Sequence, residues 1–335
     1  MRKAWFVFFA LIVALDAVAQ VPMPIHVIPV IGKVKGGAGT DWVSDVMISN
    51  VSDRNATLGV RYFPANQANS FDGSFPKTFN VAARRSVLVT DAVATWFPSA
   101  GGNTSGILVI ADVTPVNCSA PTEIALIATS RTYNAADKTK TYGQSIPSSW
   151  ASVNFTPART FLSGLRQESG VPGYRSNIGV ANLSTVQIGV TITVYGQTGS
   201  AVATAKRTIP PLSLGQWSLA DLGVASLPAS GAWASVVMDS SSIKIDPCDD
   251  DATFACMSRC GDGCGGKYSF SKSGAFIAYV SKVDNGSGDA EFLPGVVDFE
   301  SFNNSCPDST GQTPAANFIR KFGLDRPPTF RKIPR

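Results

Sequence analysis

The sequence holds one histidine, His26, and only 16% charged residues among its 335. A single imidazole excludes histidine-rich metal sites, and it leaves any Ser–His–Asp or Cys–His arrangement with one possible base. Low charge beside 44% hydrophobic residues excludes a disordered chain and supplies enough apolar side chain for real cores. After the first fifteen residues no run approaches the ~18 continuous apolar residues of a spanning helix. Neither Gly-x-Ser-x-Gly nor Gly-x-x-x-x-Gly-Lys-Ser/Thr occurs, so a nucleophile elbow and a phosphate loop are both missing.

What is present begins with an address. Arg2 and Lys3 precede an apolar run over 4–15, and Ala17-Val18-Ala19 follows as a small-x-small cleavage site. That run reaches only ~18 Å as a helix, short of a ~30 Å hydrocarbon core. Residues 1–19 are therefore expected to be a signal peptide. The mature chain, from Gln20, is expected to be secreted, periplasmic or at the cell surface, with no transmembrane segment. Residues 318–335 hold six Arg and Lys against Asp325, a net +5. With +1 in residues 1–19, the body between is left at −2 of the overall +4. The basic pI is a tail property, and no nucleic-acid partner is expected.

Gly (30), Pro (21) and abundant Ser and Thr point to turn-dense β structure, and an internal repeat sets its plan. Ser44-Asp45-Val46-Met47-Ile48-Ser49-Asn50-Val51-Ser52 lines up with Ser176-Asn177-Ile178-Gly179-Val180-Ala181-Asn182-Leu183-Ser184. Ala56 to Phe63 continues against Ile188 to Tyr195. Ser105-Gly106-Ile107-Leu108 matches Ser230-Gly231-Ala232-Trp233, and Ser130 to Asn134 matches Ser281 to Asn285. Ser145-Ile146-Pro147 and Phe292-Leu293-Pro294 close the two units. Apolar residues alternate: Ala56, Leu58, Val60 and Tyr62 share one face, and Ile188, Val190, Ile192 and Val194 share its counterpart. Further strand-like runs cover 42–49, 86–90, 107–113, 124–133, 174–181, 216–219, 233–238 and 275–283. Short helical turns are expected at 92–97 and 222–225, after Asp91 and Asp221, with the Asp or the residue before it as N-cap. Pro22, Pro24 and Pro29 restrict the mature N-terminus to an edge strand or a lead-in.

The expected fold is all-β: two tandem Ig-like antiparallel β-sandwich domains with a Cys-rich hairpin insertion in the second. The expected division is signal peptide 1–19, first sandwich 20–153, linker 154–158, and second sandwich 159–298 with a Cys/Asp-rich insertion at 244–273. A polar linker and basic tail occupy 299–335.

Five stretches carry a resemblance. Gly36-Gly37-Ala38-Gly39-Thr40-Asp41-Trp42-Val43-Ser44-Asp45 is followed by Ile48-Ser49-Asn50 and Arg61-Tyr62-Phe63-Pro64. Tyr142-Gly143-Gln144-Ser145-Ile146-Pro147 and Val283-Asp284-Asn285-Gly286-Ser287-Gly288-Asp289 fit the same pattern. Over residues 28–294 the chain resembles exported bacterial proteins with two tandem Ig-like sandwich repeats. The resemblance implies export and a sandwich fold, and no established activity. The Cys-rich stretch and the basic tail depart from it.

Cys118, Cys248, Cys256, Cys260, Cys264 and Cys306 all fall in the exported part, where an even count favours disulfides. Two bridges within the insertion and a third from Cys118 to Cys306 are expected, because cross-links lower the ordering entropy of a polar, Gly-rich loop. The C-x7-C-x3-C-x3-C spacing lacks zinc-knuckle pairs. Asp246, Asp249, Asp250, Asp251 and Asp262 lack the order of a calcium loop, so no metal or other cofactor is assigned.

No catalytic residue is assigned either, and the protein is not expected to be an enzyme. His26 sits on the Pro-rich lead-in and reads as a partly exposed edge residue. Asp45 with Glu123, and Asp284 with Glu291, read as turn and surface acids. Trp42, Trp96, Trp150, Trp217 and Trp233 read mostly as core or interface fillers. The aromatic-basic tail reads as solvated. Eight Asn-x-Ser/Thr triplets, among them Asn50, Asn55 and Asn182, matter only in a glycosylating source. The expected function is a non-catalytic binding, adhesion or scaffold protein whose partner is a protein or glycan at the cell surface. The alternatives are a carbohydrate-directed hydrolase or its accessory module, and a Ca²⁺-dependent adhesin. Non-reducing peptide mapping of the secreted chain is expected to find all six cysteines oxidised; free thiols throughout would refute the bridges.

Overall fold

Alternating Val, Ile, Thr and Tyr residues make the strands, since branched and aromatic side chains pack well on a pleated, half-buried surface. The computed structural model describes residues 25–36, 39–115, 124–136, 142–149, 154–155, 159–239, 270 and 275–297. In chain order the first group of strands is β1 (Ile25–Lys35), β2 (Asp41–Asn50), β3 (Ala56–Pro64), β4 (Lys77–Val81), β5 (Ser86–Val89), β6 (Thr104–Asp112), β7 (Leu126–Asn134) and β8 (Gly143–Pro147). The second is β9 (Asn154–Phe155), β10 (Arg159–Gln167), β11 (Tyr174–Asn182), β12 (Ile188–Tyr195), β13 (Ala201–Ile209), β14 (Leu214–Ser218), β15 (Leu227–Met238), β16 (Ala275–Asp284), β17 (Ala290–Pro294) and β18 (Val296–Val297). Among the described residues one α-helix, α1 (Ala92–Trp96), follows Asp91, whose carboxylate accepts from the Ala94 N–H. The second expected turn is a 3-10 turn at Ala220–Leu222, two residues earlier than the sequence reading placed it.

All the pairings are antiparallel, and the two groups repeat one strand order. In the first, β4-β3-β6-β1 faces β5-β2-β7-β8, and the far end of β1 also pairs with β2, which joins the two sheets into one. In the second, β13-β12-β15-β10-β18 faces β14-β11-β16-β17. The fold is an all-β sandwich architecture, formed twice. The register moves two of the matched blocks by one residue. Val46 lies opposite Ser130 and Ile178 opposite Val280, so the counterpart of Ser130 is Val280. Leu108 likewise matches Ala234. Ser130 is buried in the first core without a partner for its hydroxyl, and matching it by letter to Ser281 put it on the wrong face.

β1 is longer than a lead-in and tolerates Pro29 through a bulge between Ile28 and Ile31. β10 bulges at the corresponding place, between Ser163 and Leu165, where Gly164 adopts φ 75°. One copy thus turns the strand with a proline, which has no N–H to lose, and the other with a left-handed glycine. The first two residues of the expected linker, Asn154 and Phe155, pair with β16.

The repeat is most literal at Asn50 and Asn182, both buried. Asn50 Nδ2 donates to the carbonyls of Arg54, Val81 and Ala82 at 2.6, 3.1 and 3.2 Å. Its Oδ1 accepts from the Ser52 N–H and hydroxyl at 3.1 and 2.6 Å. Asn182 Nδ2 donates to Val186, Ile209 and Pro210 at 2.8, 3.3 and 2.8 Å, and its Oδ1 accepts from the Ser184 N–H and hydroxyl at 2.9 and 2.6 Å. Each amide ties a strand end to a turn and to the crossover opposite.

Three cores fill the spaces between four sheet layers. Val46, Ile48, Leu58, Val60, Leu108 and Ile110 belong to the first sandwich. Ile178, Val180, Val190, Ile192, Val236 and Val280 belong to the second. The middle core joins them: Ile25, Val27, Phe63, Ile107 and Val109, from the outer face of β1-β3-β6, meet Ala181, Leu183, Leu214, Ile277 and Tyr279, from the outer face of β11-β14-β16. The long β3–β4 loop clamps this contact. Asn69 donates from its backbone to Pro211 O and from Nδ2 to Leu212 O, at 3.0 and 2.9 Å. Asn66 N donates to Leu214 O at 3.1 Å. Arg61 holds the loop by donating to the carbonyls of Ser70 and Ser74. Phe270, from the expected insertion, packs edge-on against Phe63 and Phe71 with centroids 5.5 and 5.0 Å apart.

Two measurements test this account. Asn182→Ala is expected to lose about 3 kcal/mol in chemical denaturation, because it strands several buried carbonyls, and Asn50→Ala a similar amount. Burial pushes the Tyr62 hydroxyl up to about 12 and raises Tyr279 further. Between pH 10 and 12 the unfolded chain releases protons that the folded chain keeps, so stability falls as pH rises, by about 1.4 kcal/mol per unit per tyrosine. Tyr62→Phe is expected to flatten that decline in denaturant titrations at successive pH values.

Candidate interaction face

The outer face of β10, β12 and β15 carries Phe161, Tyr195 and Trp233, all half-buried. Alternation places them there, since Leu162, Val194 and Ala234 turn inward to the second core. Tyr195 lies opposite Trp233 in register, and their rings stack with centroids 3.9 Å apart and planes 12° apart. Phe161 meets Trp233 at 5.9 Å and 66°, and the Arg159 guanidinium lies 5.8 Å from the centre of the Phe161 ring. Around them stand Thr191, Thr193, Thr204, Val202 and Ser235; Thr191 donates to Asp239 at 2.9 Å. Because Tyr195 and Trp233 each cover one face of the other's ring, the row offers apolar edges more than open plates.

The register gives these positions a meaning. Phe161 corresponds to Val27, Tyr195 to Phe63 and Trp233 to Ile107. In the first sandwich those three residues are buried against the second. Among the described residues, the same face of the repeat is therefore covered by a partner sheet in one copy and by none in the other.

The remaining sequence candidates do structural work or lie elsewhere. His26 is buried: Nε2 donates to Leu126 O at 2.8 Å, which leaves Nδ1 to meet the Ser148 hydroxyl at 2.7 Å. It is a fixed bridge between β1, β7 and the end of β8, not a partly exposed edge residue. Asp45 accepts from the Asp91 N–H at 2.9 Å and from Tyr133 at 3.4 Å, while Asp91 pairs with Lys33. Burial and the nearby Asp45 carboxylate push the Tyr133 hydroxyl up. Asp284 accepts from the N–H groups of Gly286 and Ser287, which hold its carboxyl below the usual range. Glu291 pairs with Lys282 at 2.6 Å. Trp96 is buried, Trp217 packs beside the second core, and Trp42 is half-buried near Thr40. Glu123, Trp150, all six cysteines and the Asp-rich insertion apart from Phe270 lie outside the described residues.

Among the described residues no group of three or more His, Cys, Asp or Glu is placed to hold a metal ion, and no helix is long and apolar enough to cross a membrane. A cleft of about 60 Å³ between the sandwiches, lined by Pro29, Pro147, Thr160, Ile277 and Phe292, admits water but not a metabolite, whose sites run to ~300–1,000 Å³.

No family model matches the chain, and no curated protein does. Among solved structures, a glycosyl hydrolase family 2 member from Bacteroides cellulosilyticus is 8% identical, with 79% of this chain and 27% of that one covered, at a TM-score of 0.17. A Bacteroides uniformis beta-glucuronidase is 8% identical, with 84% and 30% covered, at a TM-score of 0.13. The chain thus spans under a third of either enzyme, and at those TM-scores the likeness carries no argument.

Proposed function

We propose that the protein is an exported, non-catalytic binding or scaffold module that meets a cell-surface partner through the open face of its second sandwich. One observation carries this reading: Phe161, Tyr195 and Trp233 are only half-buried, at positions whose counterparts in the first sandwich, Val27, Phe63 and Ile107, are fully buried against a partner sheet. An apolar row displayed on a rigid sheet is a recognition surface by its chemistry. The rigid backing comes from the three stacked cores. A glycan is the second reading, favoured by the same row because aromatic rings stack on sugars. The mutual closure of Tyr195 and Trp233 makes a protein surface the better fit.

Binding of the purified chain to cell-envelope preparations and to a glycan array tests both. Saturable binding is expected to fall at least tenfold in a Tyr195→Ser, Trp233→Ser double variant that keeps the wild-type circular dichroism. Unchanged binding by that variant would move the function off this face, and selective capture by one glycan class would favour the carbohydrate reading.

A further inference from the structure

Among the described residues, the four layers leave two outermost faces uncovered, one at each end of the stack. At one end is the aromatic face just described. At the other is the outer face of β2, β5 and β7, with Met47, Ser49, Val51, Ser86, Leu88, Ile127 and Thr129. In the second sandwich the counterparts of Ser49, Val51, Ser86, Ile127 and Thr129 are Ala181, Leu183, Leu214, Ile277 and Tyr279, the residues that receive the first sandwich in the middle core. Each end face is thus the unused half of a contact that the chain already makes once.

Exposure follows the same division. Among the described residues six large apolar side chains are exposed. Met47, Val51 and Leu88 lie on one end face, and Val202 and Val296 on the other, at 42–66% exposure. Val296 shares the aromatic face because it pairs in register with Phe161. The sixth, Val171, sits in the β10–β11 turn.

We propose that a second copy of this chain occupies the aromatic face. The β2-β5-β7 end of one molecule docks on the β10-β12-β15 end of the next, repeating between chains the sheet-on-sheet contact found within one. This extends the reading above by naming the partner. Such a contact joins unlike surfaces, so it does not close on itself in a pair and extends head to tail. Its strength follows from the substitutions: Arg159 stands where the first sandwich has Ile25, and Ser49, Ser86 and Thr129 stand where the second has Ala181, Leu214 and Tyr279. The contact between chains is therefore weaker than the internal one, and reversible.

Sedimentation equilibrium of the full chain tests this. The weight-average mass is expected to rise from monomer near 10 µM to trimers and longer species toward about 1 mM. Leu88→Lys blocks one end and a Val202→Lys, Val296→Lys double variant the other; all three side chains are exposed, so the fold is kept. Each variant alone is expected to stay monomeric, and an equimolar mixture to stop at a 1:1 dimer. A wild-type chain that remains monomeric throughout overturns the proposal. So does a Leu88→Lys chain that still dimerises, which would mean like faces pairing, and so does association that appears only after residues 301–335 are removed. A monomeric wild type whose cell-envelope binding still needs Trp233 would sink self-association while leaving the binding role in place.

Discussion

The structure depends on one constraint: an apolar sheet face must be covered by another sheet. Each sandwich meets it internally, and the middle core meets it again between them, where Tyr279, Ile277 and Leu214 take up Phe63, Ile107 and Val27. Tyr279 shows how tightly. It is fully buried, its hydroxyl donates to Gln216 Oε1 at 3.0 Å, and its ring lies so close to Gly179 that a Cβ there would overlap it. Burial of that quality, with backbone hydrogen bonds from Asn66 and Asn69 around its rim, is what ties two repeats into one body instead of two beads.

Duplication explains both the sameness and the differences. The Asn50 and Asn182 networks are nearly superposable in their partners because the backbone turns they serve are the same. Where the copies diverge, the divergence follows position in the stack. Residues 65–76 form a long loop that reaches the second sandwich, while the matching connection in the second, residues 196–200, is a short turn with nothing to reach. The outward residues of β10, β12 and β15 became aromatic and polar together, where their counterparts in the middle core are Phe63 and the aliphatic Ile25, Val27, Ile107 and Val109.

Much of the fold was legible in the sequence. Period-two alternation located β2, β3, β7, β11, β12 and β16, and the matched blocks announced two similar units. What escaped has physical reasons. β4 and β13 lie at sheet edges and are largely exposed, and the inward positions of β13 hold mainly small Ala203 and Ala205, so their alternation is faint in the sequence. β1 was discounted for Pro29, because a bulge is invisible until its partner strand is known. The one-residue slips at Ser130 and Ser105 arose from matching letters instead of faces. The candidate face was legible only in part: Trp233 was noticed, but alternation cannot say which side of a sheet is wet, and Tyr195 and Phe161 acquire meaning only once register makes them counterparts of Phe63 and Val27. His26 looked peripheral by its place in the chain and proved to be a buried brace.

The paired asparagines carry a consequence for how the chain can be made. Asn50 and Asn182 each begin an acceptor triplet for N-linked sugar, yet in both the amide nitrogen that an oligosaccharide would occupy is enclosed and bonded to three carbonyls. A glycosyltransferase acting on the nascent chain would reach them before the strands close. The resulting adduct would prise open the crossover that each one fastens. Heterologous production in a eukaryotic secretory pathway thus pits carbohydrate attachment against closure of the turn, whereas a host lacking that modification leaves the amides free to seal it.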